Sequence, residues 1–218
     1  MHDRASANGT CWCQWHDEPV TFFPCSDQAP AEWITTSDEH WWSLVTLGPP
    51  GFPAYARLRF IPDPAHEGQS ENEIAGQSDV PSDTDQLRLA VEALLQRSDS
   101  PAEGYVLVWD GWGEDAFPEP VLRTPRVVLP NREYYLCRVS LADFASGMIE
   151  DSWQAKTNRP MPLPSFIWPS DRAWCITKDV DPHWAGIGGE QALIDQLLTE
   201  PSLDVVPVKT NQKLPFYH

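Results

Sequence analysis

Three side chains that can bind a metal ion stand at alternate positions in the last fifth of the sequence: Asp179, Asp181 and His183. An extended backbone would direct all three to one side, because successive side chains of a strand point to opposite faces. Two carboxylates and an imidazole suit Mn, Fe or Zn. Pro182 places a turn inside the pattern, and the aspartates of such a turn bind local backbone N–H groups. Both a divalent metal site and a structural turn remain open.

A second set of possible ligands lies near the N-terminus, where Cys11, Cys13, His16 and Cys25 supply three thiols and an imidazole. The number of ligands suits a tetrahedral zinc, but the Cys-x-Cys spacing is shorter than in most zinc motifs. The alternative is an N-terminal arm rich in cysteine and tryptophan, which we place at residues 1–30. No cofactor is predicted. The sequence does allow a divalent metal, bound by one of these two sets of ligands.

The segment 166–189 joins the first ligand set to a glycine-rich stretch, Gly186-Ile-Gly-Gly189. We expect this stretch to be a turn that opens a helix, whose free N–H groups could bind an anion. Asp179, Asp181 and Glu190 would repel one, so the glycines are predicted to serve backbone geometry at a strand-to-helix corner.

The candidate site extends to residues in neighbouring tryptophan-rich turns: Asp110, Trp112, Asp171, Arg172 and Trp184. Asp171 and Arg172 are a candidate ion pair. Arg57 and Arg59 share one face of a predicted strand, where they could contact an anion or a partner. In an acidic chain they could equally pair with carboxylates.

Composition narrows the classes of function. The 15 Lys and Arg against 32 Asp and Glu give a formal net charge of −17, which disfavours nucleic acid and anionic membranes as partners. No Gly-x-Ser-x-Gly elbow, phosphate-binding P-loop or dinucleotide fingerprint is present. The first residues lack an apolar run and the five cysteines are odd in number, which predicts reduced thiols in the cytoplasm.

The elements that must position these residues are short. Apolar alternation or apolar runs predict strands at 41–47, 54–61, 105–109, 126–129, 133–139, 173–177 and 204–208. Helical periodicity predicts helices at 86–97 and 190–200, with a weaker third at 142–152. With 22 prolines, the pattern predicts an α+β fold. We expect a mostly antiparallel or mixed sheet, two to three helices and long Pro-rich loops in one domain over residues 31–218.

Four strings of this sequence carry a resemblance: residues 48–64, Trp109-Asp-Gly-Trp-Gly113, residues 168–175 and residues 179–189. They resemble a group of uncharacterised proteins from high-GC actinobacteria, and the likeness runs from about Trp33 to the last residue. The resemblance implies no activity and no residue role, and the cysteine-rich arm lies outside it.

Because no convincing catalytic constellation accompanies the strong negative charge, we expect a non-enzymatic, cytoplasmic protein-binding or regulatory module. An antitoxin or immunity protein is of this type, and its partner would be a protein with a basic surface. Neither a nucleic acid nor a membrane is expected as the partner. The alternative is a metal-assisted hydrolase that uses Asp179, Asp181 and His183.

Overall fold

A computed structural model describes residues 22–74, 81–209 and 213–217 of the chain. Within these residues the fold is α+β, with nine strands and seven helices. The strands are β1 (Phe22–Pro24), β2 (Ala54–Arg59), β3 (Glu103–Trp109), β4 (Arg126–Leu129), β5 (Arg132–Ser140), β6 (Phe166–Pro169), β7 (Trp174–Thr177), β8 (Trp184–Gly189) and β9 (Val205–Val208). The helices are α1 (Glu32–Thr35), α2 (Trp41–Thr46), α3 (Asp83–Arg97), α4 (Glu119–Leu122), α5 (Leu141–Ser146), α6 (Met148–Thr157) and α7 (Gln191–Leu197).

All the strands belong to one antiparallel sheet in the order β1-β5-β3-β6-β7-β8-β2-β9. Strand β4 pairs with the first half of β5 and β1 with its last residues, so both lie along the same edge. The prediction of an α+β fold with an antiparallel sheet is confirmed. Strand β1 falls inside the range that the sequence assigned to an N-terminal arm, and it pairs with β5 through Phe22 and Phe23.

The sheet is covered on both faces. Successive residues of β3 alternate between two apolar clusters, with Val106 and Val108 in one and Leu107 in the other. Helices α3 to α7 pack in the cluster that contains Val106, and α1 and α2 pack in the cluster that contains Leu107. A strand that is buried on both faces has a continuous apolar run in its sequence, and this is why β3 could be predicted as a central strand.

The helices are more numerous than the two or three expected. Helix α3 has the clearest signals in the sequence. The Ser82 side chain caps it by accepting a hydrogen bond from the Asp85 N–H at 3.2 Å. The predicted third helix is two helices, because Gly147 interrupts it in the left-handed region with φ of 87°. Helices α1, α2 and α4 have only four to six residues, too few for helical periodicity to be visible.

Residues 41–47 were predicted to be a strand, and this was wrong: Trp41–Thr46 is helix α2. The run is apolar and bulky, and a short apolar run does not distinguish a strand from a buried helix. The His40 ring favours the helix, because its Nδ1 accepts a hydrogen bond from the Trp42 N–H at 3.3 Å.

The glycine-rich stretch is not the turn that opens a helix, because it lies in β8, buried throughout. A Cβ at Gly186 would come within 2.4 Å of the Thr46 carbonyl oxygen, and one at Gly188 equally close to the Phe52 ring. The glycines therefore let α2 and the loop after it lie directly on the sheet. Helix α7 begins only at Gln191. The segment 166–189, which was expected to form a strand-to-helix corner, therefore forms three successive strands, β6 to β8.

Candidate functional site

One end of the sheet collects most of the residues that the sequence singled out. The register places the ends of β2, β3 and β7 at this end, together with the starts of β5, β6 and β8. The Asp110–Trp112 turn follows β3, and residues 178–183 connect β7 to β8. Asp171 and Arg172 lie at the opposite end, in the turn between β6 and β7. These two therefore do not join the site.

A cavity of about 120 Å³ opens at this end of the sheet. We call it the Trp112 cavity, and it is lined by Asp83, Trp112, Leu163, Ser165, Lys178, Asp179 and Val180. Two of the lining side chains are large, apolar and exposed to solvent: Trp112 at 46% and Val180 at 40%. Trp112 is held by an edge contact with Trp109, their rings 6.0 Å apart. The cavity therefore combines an apolar wall with several titratable groups.

Lys178 lines the cavity, and it is only 7% exposed. Its Nζ donates to the carbonyl oxygens of Asp179 at 2.6 Å and Pro182 at 2.8 Å, so the ammonium fastens the loop before β8. Burial lowers the pKa of Lys178, and the nearby carboxylates of Asp83 and Asp179 oppose that shift. An ammonium has three N–H donors, and two of them are used within the loop.

Asp83, the first residue of α3, contributes a carboxylate to the same cavity. It is half-buried, and within the described part of the chain it forms no ion pair. Burial raises its pKa, although the Lys178 ammonium acts in the other direction. Asp83 is therefore a partly desolvated carboxylate beside an apolar wall.

Asp179 is held by Arg132. The Arg132 Nε and Nη2 lie 3.0 and 3.1 Å from the two carboxylate oxygens, and the Asp179 side chain is 2% exposed. The Arg132 guanidinium also lies over the rings of Trp109 at 4.4 Å and Trp41 at 5.8 Å. Asp181 is mostly exposed and only approaches Arg132, at 4.0 Å. The charge of Asp179 is thus already compensated inside the protein.

His183 turns to a different partner, Asp63 in the loop after β2. The His183 Nε2 lies 3.0 Å from Asp63 Oδ1, and the Arg57 guanidinium binds both oxygens of that carboxylate at 2.7 and 2.9 Å. Arg59 adds a contact at 3.2 Å and pairs with Asp204 at 2.7 Å. The two arginines that could have contacted an external anion are therefore occupied by carboxylates of the chain.

The pKa values in this cluster follow from its contacts. Burial alone would raise the pKa of Asp63, but hydrogen bonds from Arg57 and His183, with the charges of both arginines, outweigh it and lower the pKa to about 2. Burial lowers the pKa of His183, and the Asp63 carboxylate opposes that shift. Asp63 therefore stays ionised at neutral pH.

Trp184 is part of the core rather than of a surface site. It is fully buried, with the Arg57 guanidinium 4.9 Å from its ring centroid. Phe216 covers it at 4.7 Å, and Tyr217 lies equally close to the His183 ring. The Tyr217 hydroxyl donates to the Pro62 carbonyl oxygen at 2.5 Å. The segment 213–217 therefore closes this side of the sheet over Trp184 and His183.

The metal-ligating trio does not converge. Asp179 binds Arg132, Asp181 faces solvent and His183 binds Asp63. Within residues 22–74, 81–209 and 213–217, no group of three or more His, Cys, Asp or Glu side chains could hold a metal ion. Of the N-terminal ligand set, Cys11, Cys13 and His16 lie outside the described residues. Cys25 is a half-buried free thiol whose pKa is raised by burial.

The remaining candidates have local partners. Asp110 pairs with the Arg126 Nε at 2.9 Å. The Asp171 carboxylate accepts from the Ala173 N–H at 3.0 Å, which is the bond of an Asx-type turn. Arg172 has a φ of 59° and lies 5.6 Å from the Trp33 ring centroid. Asp171 and Arg172 form no ion pair with each other within the described residues.

Sequence reasoning missed Asp63, Asp83, Arg132, Ser165 and Lys178. The signal for Lys178 was its place directly before Asp179, at the end of a strand predicted correctly. Ser165 could have been found only from the pairing of β6 with β7, which places it opposite Lys178. Asp63 meets His183 across 120 residues and Arg132 meets Asp179 across 47, so no local pattern reveals these two contacts. The contacts of Asp63 with Arg57 and Arg59 span only six and four residues.

Comparison with protein-family models, with curated protein sequences and with solved structures finds no match to this chain. In the described part of the chain, the longest helix has 15 residues and none is long and apolar enough to cross a membrane.

Proposed function

We propose that this chain is a non-enzymatic protein-binding module that engages a basic surface of its partner at the Trp112 cavity. One observation carries the proposal: Trp112 and Val180, both large and exposed, line the same cavity as Asp83, whose carboxylate forms no ion pair within the described residues. Exposed tryptophans beside small cavities are the side chains on which protein interfaces concentrate their binding energy.

The charges around the cavity support a basic partner. Asp83 forms no ion pair within the described chain, although the Lys178 ammonium lies near enough to affect its pKa. The exposed Asp181 only approaches Arg132, at 4.0 Å, and Glu71 also lies near enough to affect Lys178. Arg132 already compensates Asp179, and Lys178 is turned into its own loop. The net charge of −17 adds a long-range attraction that would steer a cationic surface toward the chain. A regulatory protein of antitoxin or immunity type would use such a face.

The alternative of a metal-assisted hydrolase gains no specific support. A shared metal would require Asp179, Asp181 and His183 to face one point, whereas each has a different environment. Breaking the Arg132–Asp179 pair to free that carboxylate would leave a nearly buried guanidinium without its partner, at a cost of about 3–5 kcal/mol.

The test is an NMR titration of ¹⁵N-labelled protein with a short peptide that contains both arginine and lysine. The indole N–H signal of Trp112 is assigned by its loss in Trp112→Phe. We expect this signal to shift on binding, and the affinity to fall as salt is added, because screening weakens attraction between exposed charges. A peptide with glutamate at every basic position should not shift the signal.

Two alanine variants provide the matched comparison. Trp112→Ala should weaken binding by about tenfold or more, the loss typical of an interface tryptophan. Phe23→Ala removes an aromatic side chain of the same 46% exposure from the opposite end of the sheet, and it should leave binding unchanged. An unshifted Trp112 indole, or an equal loss in both variants, would rule out the Trp112 cavity as the binding site.

A further inference from the structure

The walls of the Trp112 cavity are of two kinds. Trp112, Leu163 and Val180 form an apolar side, whereas Asp83 and Ser165 supply oxygen atoms. A volume of about 120 Å³ is too small for a helix or a strand, but it admits part of one side chain. The residue that fits both kinds of wall has a long apolar stem and a polar head.

The Ser165 side chain adds a hydrogen-bonding hydroxyl to the cavity. Ser165 is only 6% exposed and lines the cavity, yet its hydroxyl makes no hydrogen bond to any described residue. Its backbone is fully engaged, since its N–H donates to the Leu107 carbonyl and its carbonyl accepts from the Lys178 N–H. A ligand in the cavity could donate a hydrogen bond to this hydroxyl oxygen.

Strand register explains why these groups converge. The Lys178–Ser165 hydrogen bond continues the β6–β7 ladder by one pair beyond Phe166 and Thr177. Side chains directly opposite in an antiparallel pair leave the same face of the sheet. For Ser165 and Lys178 this is the face that α3 covers, where Asp83 is the first helical residue. The donor, the hydroxyl and the carboxylate are thus brought together by backbone pairing.

The charge balance decides the sign of the ligand. Lys178 gives two of its N–H donors to carbonyls of its own loop. The Asp179 carboxylate binds Arg132. The Asp83 carboxylate forms no ion pair within the described residues, although the Lys178 ammonium is near enough to lower its pKa. A cationic head can therefore pair with Asp83, whereas an anionic head would meet Asp83 and Asp181 unfavourably.

We infer that the Trp112 cavity receives one arginine side chain of the partner, with its guanidinium on Asp83 and Ser165 and its flat face against Trp112. Arginine satisfies all three contacts at once, because its planar fork binds a carboxylate bidentately and also stacks on an indole. Lysine would reach Asp83 as a point charge but has no plane to stack. This inference rests on the proposed function, since it names the partner group that the same site takes.

The experiment repeats the titration with four peptides that differ at one position, which is arginine, lysine, citrulline or norleucine. Citrulline keeps the shape and removes the charge, and norleucine keeps only the apolar stem. We expect the arginine peptide to bind at least about tenfold more tightly than the citrulline peptide, because a charge-assisted hydrogen bond is lost. An affinity for the citrulline peptide or for the lysine peptide equal to that for the arginine peptide would overturn the inference, as would equal binding of the norleucine peptide.

Protein variants locate the contact. Asp83→Asn should lower the affinity for the arginine peptide by at least about tenfold, while Asp85→Asn should change it by less than about twofold. Asp85 is in the first turn of the same helix and its substitution removes the same charge, but it lies outside the cavity. Ser165→Ala should cost about threefold to tenfold and does not alter α3, so it tests the site if Asp83→Asn unfolds the helix start.

The two proposals fail in different ways. Binding at Trp112 that does not distinguish arginine from citrulline, or Asp83→Asn from Asp85→Asn, overturns the arginine inference and leaves the proposed function standing. No binding of any basic peptide at Trp112 overturns both.

Discussion

At the scale of single residues, Asp63 organises more of this end of the sheet than the residues the sequence drew attention to. It accepts hydrogen bonds from Arg57, Arg59 and His183, which come from β2 and from the loop before β8. Arg57 is almost fully buried, so its charge depends on this carboxylate. Removing one partner of such a pair leaves the other charge uncompensated.

The Asp63 cluster gives the protein a specific response to acid. We expect Asp63→Asn to lower the free energy of unfolding by about 1–3 kcal/mol at pH 7, measured by urea denaturation. The folded pKa of Asp63 is about 2, below the unfolded value of about 3.9. The stabilisation is therefore complete above about pH 5, well above the unfolded pKa, and is lost as the pH falls through the folded pKa of about 2.

The difference in the free energy of unfolding between the wild type and Asp63→Asn should accordingly disappear over this same range of acidic pH. Asp99→Asn is the control, since Asp99 is exposed and forms no ion pair within the described residues. The free energy of unfolding of Asp99→Asn should stay close to that of the wild type at every pH. If the difference in the free energy of unfolding between Asp63→Asn and the wild type stayed constant down to pH 2, the carboxylate charge would not be the source of the stability.

Residue types alone could locate the end of the sheet that holds most of the candidate residues, but not the contacts there. Asp179 and His183 were found because their spacing in an extended chain is regular. Their real partners, Arg132 and Asp63, come from distant parts of the chain, and spacing along the sequence carries no information about them. The prediction that Arg57 and Arg59 could pair with carboxylates rested instead on composition, which does not depend on knowing the partner.

At the scale of elements, strands were predictable where one pattern dominated. The hairpin of β4 and β5 and the edge strand β9 follow from apolar segments bounded by turn residues. Helix α2 and strand β8 were misread for one shared reason. The glycines of β8 have no side chain to mark a strand, and they are there because α2 lies against them. A contact between distant elements therefore decided both local structures.

This contact leads to a prediction about Gly186. We expect Gly186→Ala to destabilise the protein by about 1–3 kcal/mol or more in urea denaturation, because the new methyl group would meet the Thr46 carbonyl oxygen at 2.4 Å. Backbone atoms of a packed helix end cannot move aside as a side chain can.

Gly189→Ala is the matched control in the same strand. There the nearest atom, on Leu193, is 3.4 Å away, so the change should cost less than about 1 kcal/mol. Similar losses for the two variants would mean that strand β8 tolerates or rejects any side chain equally, and that α2 does not press on Gly186.

At the scale of the whole molecule, the excess of negative charge has two effects of opposite sign. The formal charge of −17 attracts a cationic partner, but it also makes the folded chain repel itself. Most of the ion pairs have at least one partly exposed member, and such pairs contribute about 0–1 kcal/mol each. Self-repulsion therefore decides how the stability of the fold responds to salt.

We expect the Tm to rise when sodium chloride is raised from about 0.01 to 0.1 M, since the Debye length falls from about 30 to 10 Å. Over the same range the affinity for a basic peptide should fall, because screening acts on attraction and repulsion alike. In Asp99→Lys the formal charge changes from −17 to −15, one negative charge being replaced by one positive, and the rise in Tm should be smaller. A Tm that falls with salt in the wild type would show that ion pairs outweigh the net charge. Thermal unfolding followed by circular dichroism, in parallel with the peptide titration, measures both effects on one sample.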